Sequence, residues 1–248
     1  MQRAESAAGA IQLAIDSITQ KIAGLELSLS IEQDFAKLRS FLAEQGTFAN
    51  PTFDPALSRL GPSDFWVQLK DPGGRAIACS AERLFLPEDF GRLLATGELW
   101  YAGGFRSVSG SDEVAILPLS QRVGGRVSHS GSTYVHPDWR GASLAMLMTY
   151  LTRALSFRNL AADFNTGVVK DSLYRTSVPR ETYGYSHVEL ALDGYFPSLG
   201  GDEKIYLCWI GREEFAARVA DLPGHRRCPV PLERAAEPAL ADLDLAPA

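Results

Sequence analysis

The chain has 248 residues, of which 46% are hydrophobic, 22% charged and 10% aromatic, ordinary globular proportions and enough length for one domain or two. These proportions exclude collagen-like, low-complexity and wholly disordered chains. The formal net charge is −6, from 24 Lys and Arg against 30 Asp and Glu, which argues against a generally basic nucleic-acid-binding surface.

From the N-terminus, residues 4–23 set Ile11, Ile15, Ile18 and Ile22 along one stripe of an amphipathic helix, read as a segment of its own over residues 1–24. The stripe suits either the body of the domain or a second copy of the chain, so a homodimer contact is one expectation. Residues 25–31 alternate and predict a half-buried strand. A second helix carries Phe35, Leu38, Phe41 and Leu42 on one face and stops at Gly46. Asn50-Pro51, Asp54-Pro55 and Gly61-Pro62 punctuate a loop. Residues 65–70 and 75–86, joined by Asp71-Pro72-Gly73-Gly74, predict a β-hairpin. Residues 87–128 read as an insertion, with a short helix near 88–96 and a strand at 114–119. The aromatics Trp66, Trp100, Tyr101 and Phe105 around it fit core packing or the lining of an acceptor pocket.

A short strand at 132–136 leads into the clearest helix, 141–157, whose apolar face is Leu144, Leu147, Met148, Leu151 and Leu155. Strands at 162–169, 187–192 and 203–210 follow, with a short helix at 171–176 and a last helix at 212–220. From Pro223 the final 26 residues hold five prolines and six alanines and read as a flexible tail. Residues 25–222 form the single domain. The order of elements predicts an α/β or α+β domain with a mixed sheet.

Cys79, Cys208 and Cys228 have no zinc or redox spacing, and the four histidines are scattered, so no metal is expected. The odd cysteine count points to a reducing compartment. There is no long apolar run and no signal-peptide pattern, so the expected location is cytoplasmic, with neither membrane nor nucleic acid as partner. Nucleotide-binding loops, a serine nucleophile elbow and H-E-x-x-H are absent.

The segment that carries chemistry is Tyr134-Val-His-Pro-Asp-Trp-Arg-Gly-Ala-Ser-Leu-Ala145. Pro137 stops a strand, and small residues then open a helix. The first N–H groups of a helix have no internal partner and favour an anion, to which Arg140 adds a formal charge. Residues 114–162 contain five arginines (Arg122, Arg126, Arg140, Arg153, Arg158) against one acid, Asp138, which suits a small anionic ligand or a solvated face.

VHPDWRGASLA resembles the acyl-coenzyme-A signature of the GNAT superfamily of N-acetyltransferases: a strand ending V-x-P-x-x, then Gln or Arg, two residues, Gly, one residue, and Gly or Ala. Arg140 fills the first position and Ala145 the last, and Ser143 stands where the family usually has Gly. The resemblance extends to the element order from about Leu25 to Phe215. It implies a mixed, mostly antiparallel central sheet of about six to seven strands flanked by helices, with two middle strands splayed near Val135. Tyr134 and Val135 would hold the thioester arm of acetyl-CoA. The amides of Arg140, Gly141, Ala142, Ser143, Leu144 and Ala145 would cradle its pyrophosphate, and Asn165 would contact pantetheine amides or act as a turn residue. Tyr174, from the D-S-L-Y run, would protonate the leaving thiolate, with Tyr183 and Tyr185 as rivals. His129 occupies the position of a base six residues before the terminal valine, on the same face as Val135 if the strand is regular. The function implied is transfer of an acetyl group from acetyl-CoA to a small-molecule or protein amine. The alternatives are a longer acyl donor on coenzyme A or a carrier protein, and a module that binds acyl-CoA without catalysis.

Overall fold

The computed structural model describes residues 2–109 and 115–220. The chain runs α1 (Gln2–Gly24), β1 (Ser28–Glu32), α2 (Phe35–Glu44), β2 (Phe65–Lys70), β3 (Ala76–Phe85), α3 (Phe90–Thr96), α4 (Arg106–Ser109) and β4 (Ala115–Ile116). It continues through β5 (Val127–Val135), α5 (Leu144–Asn159), β6 (Phe164–Lys170), α6 (Asp171–Tyr174), α7 (Val178–Glu181), β7 (His187–Phe196), β8 (Gly201–Gly211) and α8 (Arg212–Ala220). The expected tail lies outside the described residues.

Local chemistry sets these boundaries. The Asp34 side chain accepts hydrogen bonds from Ala36 N and Lys37 N and caps α2, whose buried residues are Phe35, Leu38, Phe41 and Leu42. In the β2–β3 hairpin, Asp71 Oδ1 accepts from Arg75 N at 2.9 Å, and Gly74 takes φ +82°.

The strands form one sheet in the order β1-β2-β3-β5-β6-β8-β7-β4. Seven have five residues or more, and the eighth, β4, adds two residues at an edge. Every pairing is antiparallel except β5 with β6. This is the mixed, mostly antiparallel sheet that the resemblance implies.

One face of the sheet carries the largest core. There Leu69, Ile77, Cys208 and Ile210 meet α5, α1 and α8. The stripe of α1 is spent inside this core, with Ile11, Ile15, Ile18 and Ile22 all buried against α5 and α8. Of the two placements the sequence allowed, the stripe takes the body of the domain.

The other face carries two smaller cores. One joins α2 to Phe53, Trp66 and Cys79; the other joins the insertion to β7 and β8. Trp100, Tyr101 and Phe105 are 1–2% exposed and close on Phe196, so they are core and line no acceptor pocket, as does Trp66 at 1%. Strand β5 begins at Val127, within the stretch read as an insertion over residues 87–128.

Helix α5 departs from a simple amphipathic pattern. Besides its apolar stripe it buries Thr149, Thr152, Arg153 and Ser156. It lies between the sheet and α1, so it has no wide solvent face on which to place polar residues. The three hydroxyls bond carbonyls of α5 itself, and Arg153 reaches across to Asn165 and Tyr183.

Candidate functional site

Strands β5 and β6 pair in parallel through Val127↔Phe164, Ser128↔Asn165, His129↔Thr166 and Ser130↔Gly167. Beyond Ser130 the pairing ends, although β5 runs on to Val135 along β3 and β6 runs on to Lys170 along β8. The outer segments, residues 131–135 and 168–170, have no partner strand between them among the described residues. The sheet is open there, and the edge of β5 offers backbone donors and acceptors to an extended ligand.

The cause is an extra residue. Ala81 faces Gly131 and Cys79 faces Tyr134, so three steps on β5 match two on β3. This is a β-bulge, and Ser132 takes φ +49° within it. Phe53 fills the space over Gly131, where a Cβ would lie 2.5 Å from its ring. The bulge bends β5 away from β6 and reverses the alternation of faces.

That reversal corrects the reading of His129. Val135 packs against the α5 core, whereas the His129 ring lies on the opposite face among Phe53, Phe85 and Phe90. His129 is fully buried. Its Nδ1 lies 2.9 Å from Thr166 Oγ1, whose proton goes to Ser128 O, so Nδ1 is the donor. Nε2 is buried without a partner. Burial and the nearby Arg83 guanidinium push its pKa down to about 3. The imidazole is neutral and sealed from solvent, so it cannot take a proton from an amine at the cleft.

Asn165 is corrected in the same way. It is fully buried beneath the cleft, where Oδ1 accepts from Arg153 Nε at 2.7 Å and Nδ2 donates to Ser128 Oγ at 2.8 Å and towards Glu82 Oε2 at 3.2 Å. No group of its amide is left for a pantetheine arm.

The remaining predicted residues lie at the open end. Tyr134 is half-buried, donates to Gln45 Oε1 at 3.1 Å and packs edge-on against Phe41. After β5, a 3-10 turn (Pro137–Trp139) is capped by the His136 side chain, which accepts from Asp138 N. Asp138 is paired with Arg75 at 3.3 Å, which offsets its negative charge. Arg140 and Gly141 are exposed, Gly141 at φ +87°. Ser143 takes φ +56°, ψ +19° at the N-cap of α5 and makes no side-chain capping bond. The left-handed conformation explains why glycine suits this position, since an L side chain there costs about 1–2 kcal/mol. The first helical acceptor serves Leu147 N, so the amides of Leu144, Ala145 and Met146 precede the ladder. With 16 residues behind it, α5 presents the positive end of its dipole at this point.

Only Arg140 of the five arginines fits the anionic-ligand reading. Arg122 donates to Glu88 O, Arg126 to Leu160 O and Arg158 to Gln12 Oε1, while Arg153 is fully buried. Tyr174 lies just past the end of β6, 40% exposed, its ring stacked on Tyr206 at 3.7 Å. Tyr185 is buried with its hydroxyl against Gly167, and burial pushes its pKa up to about 12. Sequence reading missed Glu82, and it took Arg153 only as one of five arginines for an anionic ligand; Asn165 links the two under the cleft. The signal for Glu82 was a Glu82-Arg83 pair of charges inside a strand that is otherwise mostly apolar.

A bulge-parted parallel pair, followed by a helix whose free amides lie at the same end of the sheet, is set within a mixed, mostly antiparallel α/β fold. No protein-family model matches the sequence, and no curated protein matches it. Solved structures that it resembles include the ribosomal-protein-S18-alanine N-acetyltransferase of Escherichia coli, at 12% identity and a TM-score of 0.41 over 75% of this chain and 93% of that one. The spermidine/spermine N-acetyltransferase SpeG of Vibrio cholerae aligns at 10% identity and 0.43, over 77% and 97%. Arabidopsis thaliana NAA60 in complex with acetyl-CoA aligns at 8% and 0.41, over 74% and 100%. At these identities and scores the likeness carries neither substrate nor mechanism to this chain.

Proposed function

We propose that the protein is an N-acyltransferase that takes an acetyl group from acetyl-CoA and passes it to an amine. The observation that carries this reading is the joint position of two features: the unpaired edge of β5 at residues 131–135, and the free amides of α5 beside exposed Arg140. The first suits the amide-rich pantetheine arm, which can bond as an added strand. The second suits a pyrophosphate. Tyr134, Val135 and the run Arg140–Gly141–Ala142–Ser143–Leu144–Ala145 are the residues assigned to the donor.

In the reaction, the lone pair of a neutral amine attacks the thioester carbonyl carbon. The carbon–sulfur bond breaks and the electron pair leaves on sulfur. The exposed Tyr174 hydroxyl is the candidate proton donor to that thiolate. With His129 sealed, water is the acceptor for the ammonium proton. A module that binds acyl-CoA without turnover is the second reading, favoured by the burial of His129 and the lack of another assigned base. A long-chain donor gains no support from the insertion, whose aromatics fill a core.

The test is thermal unfolding with acetyl-CoA, with ATP and NAD as controls. A ligand at about 100 times its Kd stabilises by roughly 2.7 kcal/mol, a Tm rise on the order of 5–10 °C for a chain of this length. A rise with acetyl-CoA alone supports the assignment, and no rise removes it. Turnover on an amine panel separates enzyme from binding module.

A further inference from the structure

The ladder between β5 and β6 stops at Ser130 and Gly167, and a buried polar network begins at that depth. Glu82 of β3 lies directly across from Ser130, and both are buried. Ser130 Oγ donates to Glu82 Oε1, and Asn165 Nδ2 reaches Glu82 Oε2 at 3.2 Å. Arg153 of α5 donates from Nε to Asn165 Oδ1 at 2.7 Å and from Nη1 to Tyr183 O at 2.7 Å. Its guanidinium lies 4.2 Å from the centre of the Tyr185 ring, and Nη2 is buried without a partner. Three strands and a helix are thus tied side chain to side chain where main-chain bonding between two of them ends.

We propose that Glu82, Asn165 and Arg153 are positioning residues that fix how far β5 and β6 part, and so place the reactive end of the acyl donor. This rests on the donor site assigned above. Hydrogen bonds from one amide to a carboxyl and a guanidinium do this work better than apolar packing would, because they are directional.

Ionisation of Glu82 governs the bridge. As a carboxylate it accepts from Ser130 and Asn165; once protonated it loses part of that capacity, and Arg153 is left as an uncompensated buried charge. Burial pushes Glu82 up to about 7, with Ser130, Arg153, Thr152 and Asn165 acting against it. Of the other titratable groups around this network, Tyr185, before β7, and Cys208 of β8 are both pushed up to about 12 and neutral, and Tyr150 of α5 has its ring 5.8 Å from the Arg153 guanidinium. His129 and Arg83 lie towards the opposite face.

The experiment compares wild type with Glu82→Gln, an isosteric change that keeps the fold testable, at pH 6 and pH 8. Backbone amide exchange over residues 131–135 and 168–170 is read without ligand, corrected for intrinsic rates, and acetyl-CoA affinity is read by calorimetry. The expected result is that wild type protects these segments better at pH 8 and binds roughly threefold or more tighter there, whereas Glu82→Gln behaves alike at both. Equal pH dependence in the two proteins overturns the proposal. If wild type binds no acetyl-CoA, the functional reading fails, and amide exchange alone then decides the positioning role.

Discussion

Three aromatic rings and a threonine leave the His129 imidazole neutral, because a second proton on Nε2 would face carbon on every side. Its folded pKa of about 3 lies below the ordinary value of 6.5. Between these values the unfolded chain binds a proton that the folded chain refuses. His129 therefore stabilises the fold fully above pH 6.5, and this contribution is lost as pH falls towards 3. In His129→Phe, stability measured by urea unfolding should fall less steeply from pH 6.5 to 4 than in wild type; parallel curves would show that the ring charges easily. Arg140 is the opposite case, exposed and unburdened. Arg140→Glu should weaken acetyl-CoA binding about tenfold or more, about 1.4 kcal/mol, with an unchanged circular dichroism spectrum. Unchanged affinity in a calorimetric titration removes the phosphate site from α5. Both side chains were visible in the sequence as candidates. Their difference in burial was not, since an arginine or histidine in a linear pattern carries no mark of what folds over it.

The bulge in β5 decides which element faces what. One extra residue between Ser130 and Tyr134 parts β5 from β6 and sends His129 and Val135 to opposite faces. Gly131 permits this by giving Phe53 room against the strand. Gly131→Ala should destabilise by roughly 1–3 kcal/mol through overpacking and weaken acetyl-CoA binding as well. A variant with wild-type stability and affinity would show that Phe53 yields freely. At the other end of the chain, α1 supplies part of the main core. Ile11→Ala should cost about 2–4 kcal/mol, read as a lower urea midpoint at constant m-value. A change below about 0.5 kcal/mol, the range of surface substitutions, would mean that α1 is not docked in solution. Apolar stripes such as those of α1, α2 and α5 were legible in the sequence because burial on one face writes a period of 3.6 residues. The bulge was not legible, because Ser-Gly-Ser-Thr reads equally well as a loop or as a strand.

For the molecule as a whole, the sequence by itself determined the class of fold. Alternating and helical periods gave nearly every element in its order, and the V-x-P-x-x-R-G run with its small residues marked where a strand hands over to a helix with free amides. These features are local, and each follows from the preferences of residues close together in the chain. Tertiary structure decided the rest. It chose the domain over a second copy as the cover for α1, turned the aromatics of the insertion into core, and withdrew His129 and Asn165 from the cleft. It also gathered Glu82, Asn165 and Arg153, residues distant in sequence, into one bonded group under the opening. Burial, pKa and hydrogen-bond partnership depend on atoms brought together across long stretches of chain, and only the closed sheet, with helices packed on its faces, sets those distances.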